Sequence, residues 1–341
     1  MSVSLNVVIL AAGQGKRMYS ALPKVLHRLA GKALLGHVVD TARALTPRSI
    51  CIVYGHGGDA VPNAFAVKDS SQASALGGAL AWAKQEPQLG TGHAVMQALP
   101  KLSEGAVTLV MYGDVPLTRV ETLQRLVEIV SDASLAVLSV ELSNPTGYGR
   151  IMRNGSGQII GIVEQRDATE EQRQICEVNT GIMAVPTARL AAWLGKLDNN
   201  NAQREYYLTD LIKLAVADGV SIKSTQPTSE WESAGVNSKT ELAALERIYQ
   251  REQARTLLDQ GVAIIDPARF DVRGALKCGH DVSIDIDCIF EGDVTLEDGA
   301  SIGAHDDDKN TNAGRMGAQF TRRPDTVYVR TPAAIDVFAA W

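Results

Sequence analysis

The fold is decided by Asn6-Val-Val-Ile-Leu-Ala-Ala-Gly13, a short apolar run that ends in a glycine. Such a run predicts a buried parallel strand that leads into a tight turn. Further strands are predicted at 49–54, 106–112 and 134–140, and helices at 33–45, 91–99 and 120–130. Because strands and helices alternate, we predict an α/β fold with a doubly wound sheet.

The alternation weakens after residue 140. Segments 151–153 and 159–163 flank Asn154-Gly-Ser-Gly157, which is typical of a hairpin turn, and this hairpin need not belong to the main sheet. Residues 239–258 are rich in Ala, Leu, Glu and Arg and contain no Gly or Pro, which predicts one long amphipathic helix that connects two domains. Its apolar positions include Leu242, Leu245, Tyr249 and Leu257.

Two sets of apolar residues with a spacing of six follow this helix. They are Val282, Cys288, Val294 and Ala300, and Ile284, Phe290, Leu296 and Ile302. This period predicts the start of a hexapeptide β-helix, and two short alternating strands of a meander are the alternative. The repeat stops near residue 305, so we expect a truncated β-helix followed by a tail without family origin. The predicted domains are 1–237, a connector at 238–260, a β-helix start at 261–304 and a tail at 305–341.

Composition excludes several classes of protein. The 341 residues are 45% hydrophobic and carry a net charge of −6, which argues against a role in coating nucleic acid. The four cysteines form no Cys-x-x-Cys pair, and no apolar stretch is long enough to span a membrane. We therefore expect a reduced, cytoplasmic protein without membrane insertion.

A phosphate site is predicted where the first strand ends. Leu10-Ala-Ala-Gly-Gln-Gly-Lys-Arg-Met18 contains Gly-x-Gly, and Lys24 follows shortly after. Glycines allow the backbone amides to approach a phosphate, and Lys16, Arg17 and Lys24 add positive charge. An ordinary turn with exposed basic residues is the alternative, because the third glycine of a dinucleotide fingerprint and the Gly-Lys-Ser/Thr of a P-loop are missing.

Three further motifs suit a base or a metal. Gln88-Leu-Gly-Thr-Gly-His-Ala94, with Gln85 just before it, combines a tight loop with an amide that could recognise a base edge, although Thr91 could simply cap the next helix. Asp114 follows a predicted central strand, where a carboxylate suits Mg²⁺, or it could cap a helix. Asn237 precedes the long helix and is either its cap or a neutral metal ligand.

Three later clusters carry groups that suit a hydroxyl-rich ligand. They are Thr146-Gly-Tyr-Gly-Arg-Ile151, Ile162-Val-Glu164 and Glu177-Val-Asn-Thr-Gly181. Each cluster could equally consist of residues that form turns and helix caps, so the prediction of a ligand site depends on their occurring together.

In this order the motifs resemble those of the bacterial bifunctional N-acetylglucosamine-1-phosphate uridylyltransferase/glucosamine-1-phosphate acetyltransferase family. The resemblance covers residues 6–303. Its segments include Leu-Ala-Ala-Gly-x-Gly-x-Arg-Met, which many sugar nucleotidylyltransferases share, and Pro-Lys-Val-Leu-His, Gln-Leu-Gly-Thr-Gly-His-Ala, Tyr-Gly-Asp-Val-Pro-Leu, Asn-Pro-Thr-Gly-Tyr-Gly-Arg-Ile and Asn-Asn-Asn-Ala-Gln-x-Glu-Tyr-Tyr-x-Thr-Asp. The combination is specific to this family.

The resemblance implies a Rossmann-like nucleotidyltransferase that makes UDP-N-acetylglucosamine, a precursor of peptidoglycan and lipopolysaccharide, from UTP and N-acetylglucosamine-1-phosphate with Mg²⁺. It implies that Arg17 and Lys24 are catalytic and face the phosphates, and that Asp114 and Asn237 hold the metal. The implied substrate contacts are Leu10, Ala11, Ala12, Gly13, Lys24, Gln85, Gly90, Thr91, Tyr112, Gly113, Asp114, Gly149, Glu164, Asn179, Thr180 and Asn237. Pro87 departs from the glutamate that the family often has.

The family's second half is a left-handed β-helix that uses acetyl-CoA and forms homotrimers. Because only the first hexapeptide repeats of that β-helix are recognised in this sequence, we expect it to have no acetyltransferase activity and not to form trimers. The alternatives are another sugar-1-phosphate nucleotidylyltransferase, such as one using glucose-1-phosphate and dTTP, and a non-catalytic scaffold that binds nucleotide sugars.

Overall fold

The computed structural model describes residues 4–65 and 80–303, together with the backbone of Tyr328–Arg330. The chain divides into two compact units. The first comprises Met1–His27 and Ala33–Ser238, and the second comprises Arg28–Lys32 and Lys239–Trp341. Apart from that short backbone segment, the tail predicted at 305–341 lies outside the described residues.

Strands up to residue 225 form the sheet of the first unit and one short hairpin. In chain order they are β1 (Leu5–Ala11), β2 (Arg28–Leu29), β3 (Lys32–Ala33), β4 (Ser49–Tyr54), β5 (Ala81–Lys84), β6 (Val107–Tyr112), β7 (Ser134–Glu141), β8 (Gly149–Arg153), β9 (Ile159–Val163), β10 (Glu177–Pro186) and β11 (Ser221–Thr225). The helices are α1 (Leu34–Ala44), α2 (Thr91–Ala98), α3 (Val120–Glu128), α4 (Glu170–Arg173), α5 (Thr187–Leu194), α6 (Leu211–Ala217) and α7 (Lys239–Asp259).

The central sheet has the order β11-β7-β10-β6-β1-β4-β5, with β8 paired to β10 and β9 paired to β8. Strand β1 is parallel to both β4 and β6. Since the chain continues from β1 to β4 on one side and returns to β6 on the other, a topological switch point lies between β1 and β6. Ligands of open α/β sheets bind at the carboxyl ends of strands at such a point.

Both faces of the sheet are covered. Val7 and Ile9 of β1 belong to one apolar cluster, whereas Val8 and Leu10 belong to another that also contains the fully buried Trp193. Alternate residues of a strand point to opposite faces, so a strand buried on both faces is predominantly apolar. All seven residues of β1 are buried, which accounts for the apolar run from Val7 to Ala11. The one polar residue of the strand, Asn6, is buried with its amide donating to the Ser103 carbonyl at 2.9 Å.

The predicted α/β class is confirmed. Strand β10 is antiparallel to β6 and β7, so the sheet is mixed, whereas the alternation of strands and helices had predicted only that the sheet is doubly wound. An apolar run indicates burial but not strand direction, so the direction of β10 could not be predicted from it. The predicted hairpin is present as β8 and β9, and it joins the main sheet through β10.

The second unit contains α7 and a series of short strands. They are β12 (Ala263–Ile264), β13 (Phe270–Cys278), β14 (Ser283–Ile284), β15 (Cys288–Leu296), β16 (Ser301–Ile302) and β17 (Tyr328–Arg330). Parallel pairing joins Phe270 to Cys288 and Ser283 to Ser301, both eighteen positions apart. Seven of the eight residues in the two predicted apolar columns are buried, and Ile302 is partly buried.

Helix α7 agrees with the predicted long helix. Leu245 and Leu257 are buried, and Leu242 and Tyr249 are partly buried. The buried Gln250 amide pairs with the backbone N–H and C=O of Val272 in β13, at 2.8 and 3.0 Å. In the part of the chain that the structure describes, no helix has the length and apolarity needed to cross a membrane.

Candidate active site

The predicted nucleotide-binding residues lie where β1 and β6 end. Leu10 pairs with Tyr112 across the two strands, and the Gly113 N–H donates to the Leu10 carbonyl at 2.9 Å. A Cβ atom on Gly113 would lie 3.2 Å from Ala11 Cβ, so the two strand ends are packed closely. Ala11 and Ala12 are buried and Gly13 is exposed. These residues therefore form the floor of the switch-point crevice.

A charged cluster joins three distant segments at this crevice. The Lys24 ammonium donates to Asp114 Oδ2 and, at 3.2 Å, to Asn237 Oδ1. The Lys24 and Asp114 side chains are only 13% and 15% exposed. Gly15 has a φ of +60°, and a Cβ atom there would lie 2.7 Å from Lys24 Cβ, so this close approach requires glycine. The Val236 N–H also donates to the Asp114 carbonyl at 2.9 Å, which holds the Asn237 segment in place.

The capping alternative for Asp114 is wrong, because helix α3 begins at Val120 with Arg119 in the cap position and Asp114 is too early to cap it. Helix α7 begins at Lys239, two residues after Asn237. The Asp114 and Asn237 side chains both accept from the Lys24 ammonium.

Arg17 lies in the short 3₁₀ turn Lys16–Met18 that follows Gly15. Its side chain is exposed, and among the described residues it has no hydrogen-bond or ion-pair partner. The structure therefore does not join Arg17 to the charged cluster, although its backbone belongs to the same loop.

The predicted base-binding residues form one loop. Gln85 follows β5, is 3% exposed, and donates from Nε2 to the Gly90 carbonyl at 2.9 Å. Gly90 has a φ of +106°, and a Cβ atom there would lie 2.7 Å from the Tyr206 carbonyl oxygen. The Thr91 hydroxyl accepts from the Leu208 N–H at 3.0 Å, and no side chain caps α2. The proposed alternative, that Thr91 caps this helix, is therefore wrong.

Glu164 and Gly149 meet at the entrance to the β8–β9 hairpin. A Cβ atom on Gly149 would lie 3.4 Å from both Glu164 carboxylate oxygens. The Thr209 hydroxyl donates to Glu164 Oε1 at 2.9 Å. Burial raises the pKa of Glu164, and the Thr209 hydrogen bond opposes this shift. Thr209 was given no role from the sequence, although it lies in the Glu-Tyr-Tyr-x-Thr-Asp segment of the resemblance.

An irregularity in β10 shapes the same region. The register of β10 against β7 shifts between Asn179 and Met183. Such a bulge re-aims side chains. Thr180 uses its hydroxyl inside the bulge, where it donates to the Leu138 carbonyl at 2.8 Å. Asn179 is 6% exposed, and its Oδ1 atom is buried without a hydrogen-bond partner among the described residues. A buried acceptor of this kind suits a donor on a ligand.

Tyr112 is the last residue of β6, and its ring packs against Gly181 of β10. Gly181 has a φ of +88°, and a Cβ atom there would lie 2.6 Å from the Tyr112 ring, so only glycine allows this packing. Burial raises the pKa of Tyr112, and the Glu164 and Asp114 carboxylates add to the effect. Tyr112 therefore stays a neutral phenol beside two acidic groups.

A cavity of about 410 Å³ opens beside Glu164. This is a suitable size for a small ligand. It is lined by Ile162, Val163, Glu164, Asp167, Lys196, Leu197, Asp198, Asn200, Asn201, Tyr207, Asp210, Lys213 and Leu214. Burial, followed by the Asp167 carboxylate, raises the pKa of Tyr207 to about 12.

Comparison with known proteins gives two kinds of similarity. Residues 7–263 match the MobA-like NTP transferase domain. The chain is 60% identical over 302 residues to the bifunctional protein GlmU of Nitrosospira multiformis, which covers 88% of the chain and 64% of that protein. It is 58% identical over 320 residues to the protein of the same name from Herminiimonas arsenicoxydans, covering 94% of the chain and 68% of that protein. For the Azoarcus protein the identity is 55% over 325 residues, with coverages of 95% and 70%. The chain thus spans about two thirds of the length of these relatives, and slightly less for the first.

Proposed function

Since the chain belongs to the GlmU family and carries its MobA-like NTP transferase domain, we propose that it is a nucleotidyltransferase. Its proposed reaction converts UTP and N-acetylglucosamine-1-phosphate to UDP-N-acetylglucosamine and pyrophosphate. The proposed product would serve peptidoglycan and lipopolysaccharide synthesis.

The observation that carries this proposal is the Lys24 ammonium held between Asp114 and Asn237. It stands where a cation would be held by one carboxylate oxygen and one amide oxygen. Among the described residues, no three His, Cys, Asp or Glu side chains are grouped to hold a metal. Mg²⁺ commonly takes one or two protein oxygens and completes its shell with phosphates and waters, so this pair suits it.

The phosphate chemistry needs no general base. The phosphate oxygen of the sugar phosphate is already anionic, so it can attack the α-phosphorus of UTP in line. A new O–P bond forms, the bond between the α-phosphorus and the bridging oxygen breaks, and pyrophosphate leaves with that electron pair. Mg²⁺ bound by Asp114 and Asn237 would neutralise phosphate oxygens of the two substrates.

Arg17 and Lys24 would supply the positive charge of this site. Arg17 is exposed and available to the triphosphate, and the Lys24 side chain packs closely against Gly15. The backbone of Leu10, Ala11, Ala12 and Gly13 would lie against the nucleotide. Catalysis would then consist of positioning and charge neutralisation.

We assign the base and the sugar to the two sides of Tyr112 and Gly113. Gln85, Gly90 and Thr91 would hold uracil, and Gly149, Glu164, Asn179 and Thr180 would hold the N-acetylglucosamine moiety. The unpartnered Asn179 Oδ1 and the Glu164 carboxylate support the sugar side. Thr180 would contribute through its backbone, because its hydroxyl is already used.

For the domains, we propose a uridylyltransferase domain at 1–237, a connector helix at 238–260 and the start of a left-handed β-helix at 261–304. The eighteen-residue spacing of paired strands supports three hexads for each coil. The two series of apolar residues spaced six apart, whose side chains are buried together, also support a β-helix.

A coupled pyrophosphate assay tests the function. We expect release with UTP, N-acetylglucosamine-1-phosphate and Mg²⁺, and none after the metal is chelated. Parallel reactions with dTTP and with glucose-1-phosphate separate the alternative transferase, and preference for that pair would overturn the substrate assignment. Binding of UTP without any pyrophosphate release would favour the scaffold instead. An acetyl-CoA assay on the same sample tests the expected lack of acetyltransfer.

A further inference from the structure

Three polar side chains, those of Gln85, His93 and Gln97, form a hydrogen-bonded series. Gln85 Nε2 lies 2.9 Å from the Gly90 carbonyl oxygen and 3.2 Å from His93 Nδ1. On the other side of the ring, His93 Nε2 lies 3.2 Å from the amide nitrogen of Gln97. His93 is in the first turn of α2, and its ring centroid is 6.3 Å from that of Tyr206.

The Gly90 contact determines which way the Gln85 amide points. A carbonyl oxygen can only accept, so the amide atom that faces it must be the NH₂ nitrogen. The second hydrogen of this NH₂ group is then directed to His93 Nδ1, which must offer a lone pair. Neutral imidazole has one N–H and one lone pair, so the proton of His93 belongs on Nε2.

Gln97 can adapt to this tautomer, whereas Gln85 cannot. Gln97 is half-buried, and turning its amide presents the oxygen to the Nε2 proton at the cost of a 3.1 Å contact with the His93 carbonyl. Gln85 is 3% exposed, and its nitrogen is held by Gly90. The buried contact therefore decides which of the two ring nitrogens carries the proton of the neutral imidazole.

This orientation leaves Gln85 Oε1 as a free acceptor, because no described residue donates to it. A uracil ring presents an N3–H donor between two carbonyl groups. Cytosine instead presents an N3 acceptor, which would face the same oxygen without a proton between them. A held Oε1 acceptor therefore selects an imide base, since leaving polar groups unpaired is costly.

Building on the proposed function, we propose that His93 is a positioning residue that determines base specificity: its Nδ1 holds the Gln85 amide with Oε1 towards the base and so selects UTP over CTP. His93 does not touch the reacting atoms. Its effect is expected in the affinity for the nucleotide and in the choice of base, and not in the chemical step.

Matched variants separate this role from simple packing. In His93→Asn, the side-chain oxygen can take the place of Nδ1 and keep an acceptor for Gln85. In His93→Gln, the amide reaches the place of Nε2 and leaves the Nδ1 position without one. His93→Leu keeps bulk but no polar atom, and Gln97→Leu removes only the outer contact.

The measurement is the ratio of UTP to CTP, both as Kd by calorimetry with Mg²⁺ and as kcat/KM for pyrophosphate release. We expect the ratio to fall about 10- to 100-fold in His93→Leu and His93→Gln, mainly through weaker UTP binding. His93→Asn should retain most of the discrimination, and Gln97→Leu should retain it almost fully. Circular dichroism reports whether each variant is folded. If His93→Leu does not fold, the comparison of His93→Asn with His93→Gln still tests the role of His93.

Equal ratios in wild type, His93→Gln and His93→Asn would overturn the role of His93 while leaving UTP turnover intact. A wild type that binds UTP and CTP equally would also overturn it. If the wild type prefers UTP in calorimetry but releases no pyrophosphate, the proposed reaction fails and the binding ratios still test His93.

Discussion

The two units of this protein use apolar sequence in different ways. In the second unit, apolar residues six positions apart point into one interior, and strands pair with neighbours eighteen positions away. In the first unit, successive residues of β1 belong to two separate apolar clusters. Polar side chains from distant segments of the chain, Lys24, Asp114 and Asn237, meet near the ends of β1 and β6. A repeat therefore brings like residues together, whereas the switch point of the sheet brings unlike residues together. Four substitutions test this difference.

The largest effect is expected from Asp114→Ala in the first unit. Removing this carboxylate takes away the charged oxygen of the proposed metal pair and the partner of Lys24. We expect Mg²⁺-dependent turnover to fall about 10³-fold or more, measured as pyrophosphate release at saturating substrates. Asp132→Ala, at an exposed turn, is the charge-matched control. Full turnover of the Asp114 variant at ordinary Mg²⁺ would remove this residue from the reaction.

In the second unit, Phe290→Ala should change stability and not chemistry. Phe290 is fully buried beside Phe270, with ring centroids 5.7 Å apart. Loss of the ring should destabilise this unit by about 3–5 kcal/mol, measured by denaturant unfolding followed through helix ellipticity. Turnover under folding conditions should be unchanged.

Ile265→Ala is the control for this substitution, because Ile265 is 69% exposed. We expect it to alter stability by about 0.5 kcal/mol or less. Loss of turnover in a folded Phe290→Ala protein would contradict the separation of roles between the two units.

Arg17→Ala should lower kcat by roughly 10²-fold, because it removes one cationic donor to the charge that develops on the phosphates. Arg17→Lys keeps the charge but not the planar fork, so it should recover only part of the rate. Since Arg17 is exposed, neither change should affect thermal stability. A near-normal kcat in the alanine variant would refute the catalytic role.

The smallest effect is expected from Glu164→Gln and depends on pH. Burial raises the pKa of Glu164 above its ordinary value of 4.5. The folded state then holds this proton more tightly than the unfolded state, so stability is lost as the pH rises from about 4.5 through the raised pKa. Because glutamine cannot ionise, the variant should be more stable than wild type at neutral pH and lose this advantage below about pH 4.5.

Melting temperatures across this pH range measure the difference, with exposed Glu128→Gln as the control. The same Glu164 variant should bind the sugar phosphate more weakly, since it loses a charged acceptor. A constant difference in melting temperature at all pH values would show that Glu164 does not ionise in this window.

Much of the architecture could be predicted from local sequence. The limits of α1 and β4 were predicted to within one residue, and the period of six predicted which residues of β15 face inwards. These features depend on residues only a few positions apart. The direction of β10 and its bulge at Asn179 could not be predicted, because an apolar run has the same appearance in parallel and antiparallel strands.

The sequence by itself determined the α/β alternation, the repeat and the positions of candidate residues at strand ends, and the family resemblance added their roles. Only the tertiary structure brought the Lys24 ammonium to Asp114 and Asn237, 90 and 213 positions away along the chain. It also decided that Thr209 bonds to Glu164 and that His93 bonds to Gln85. Such contacts depend on the order of strands in the sheet, which no local pattern of residues specifies.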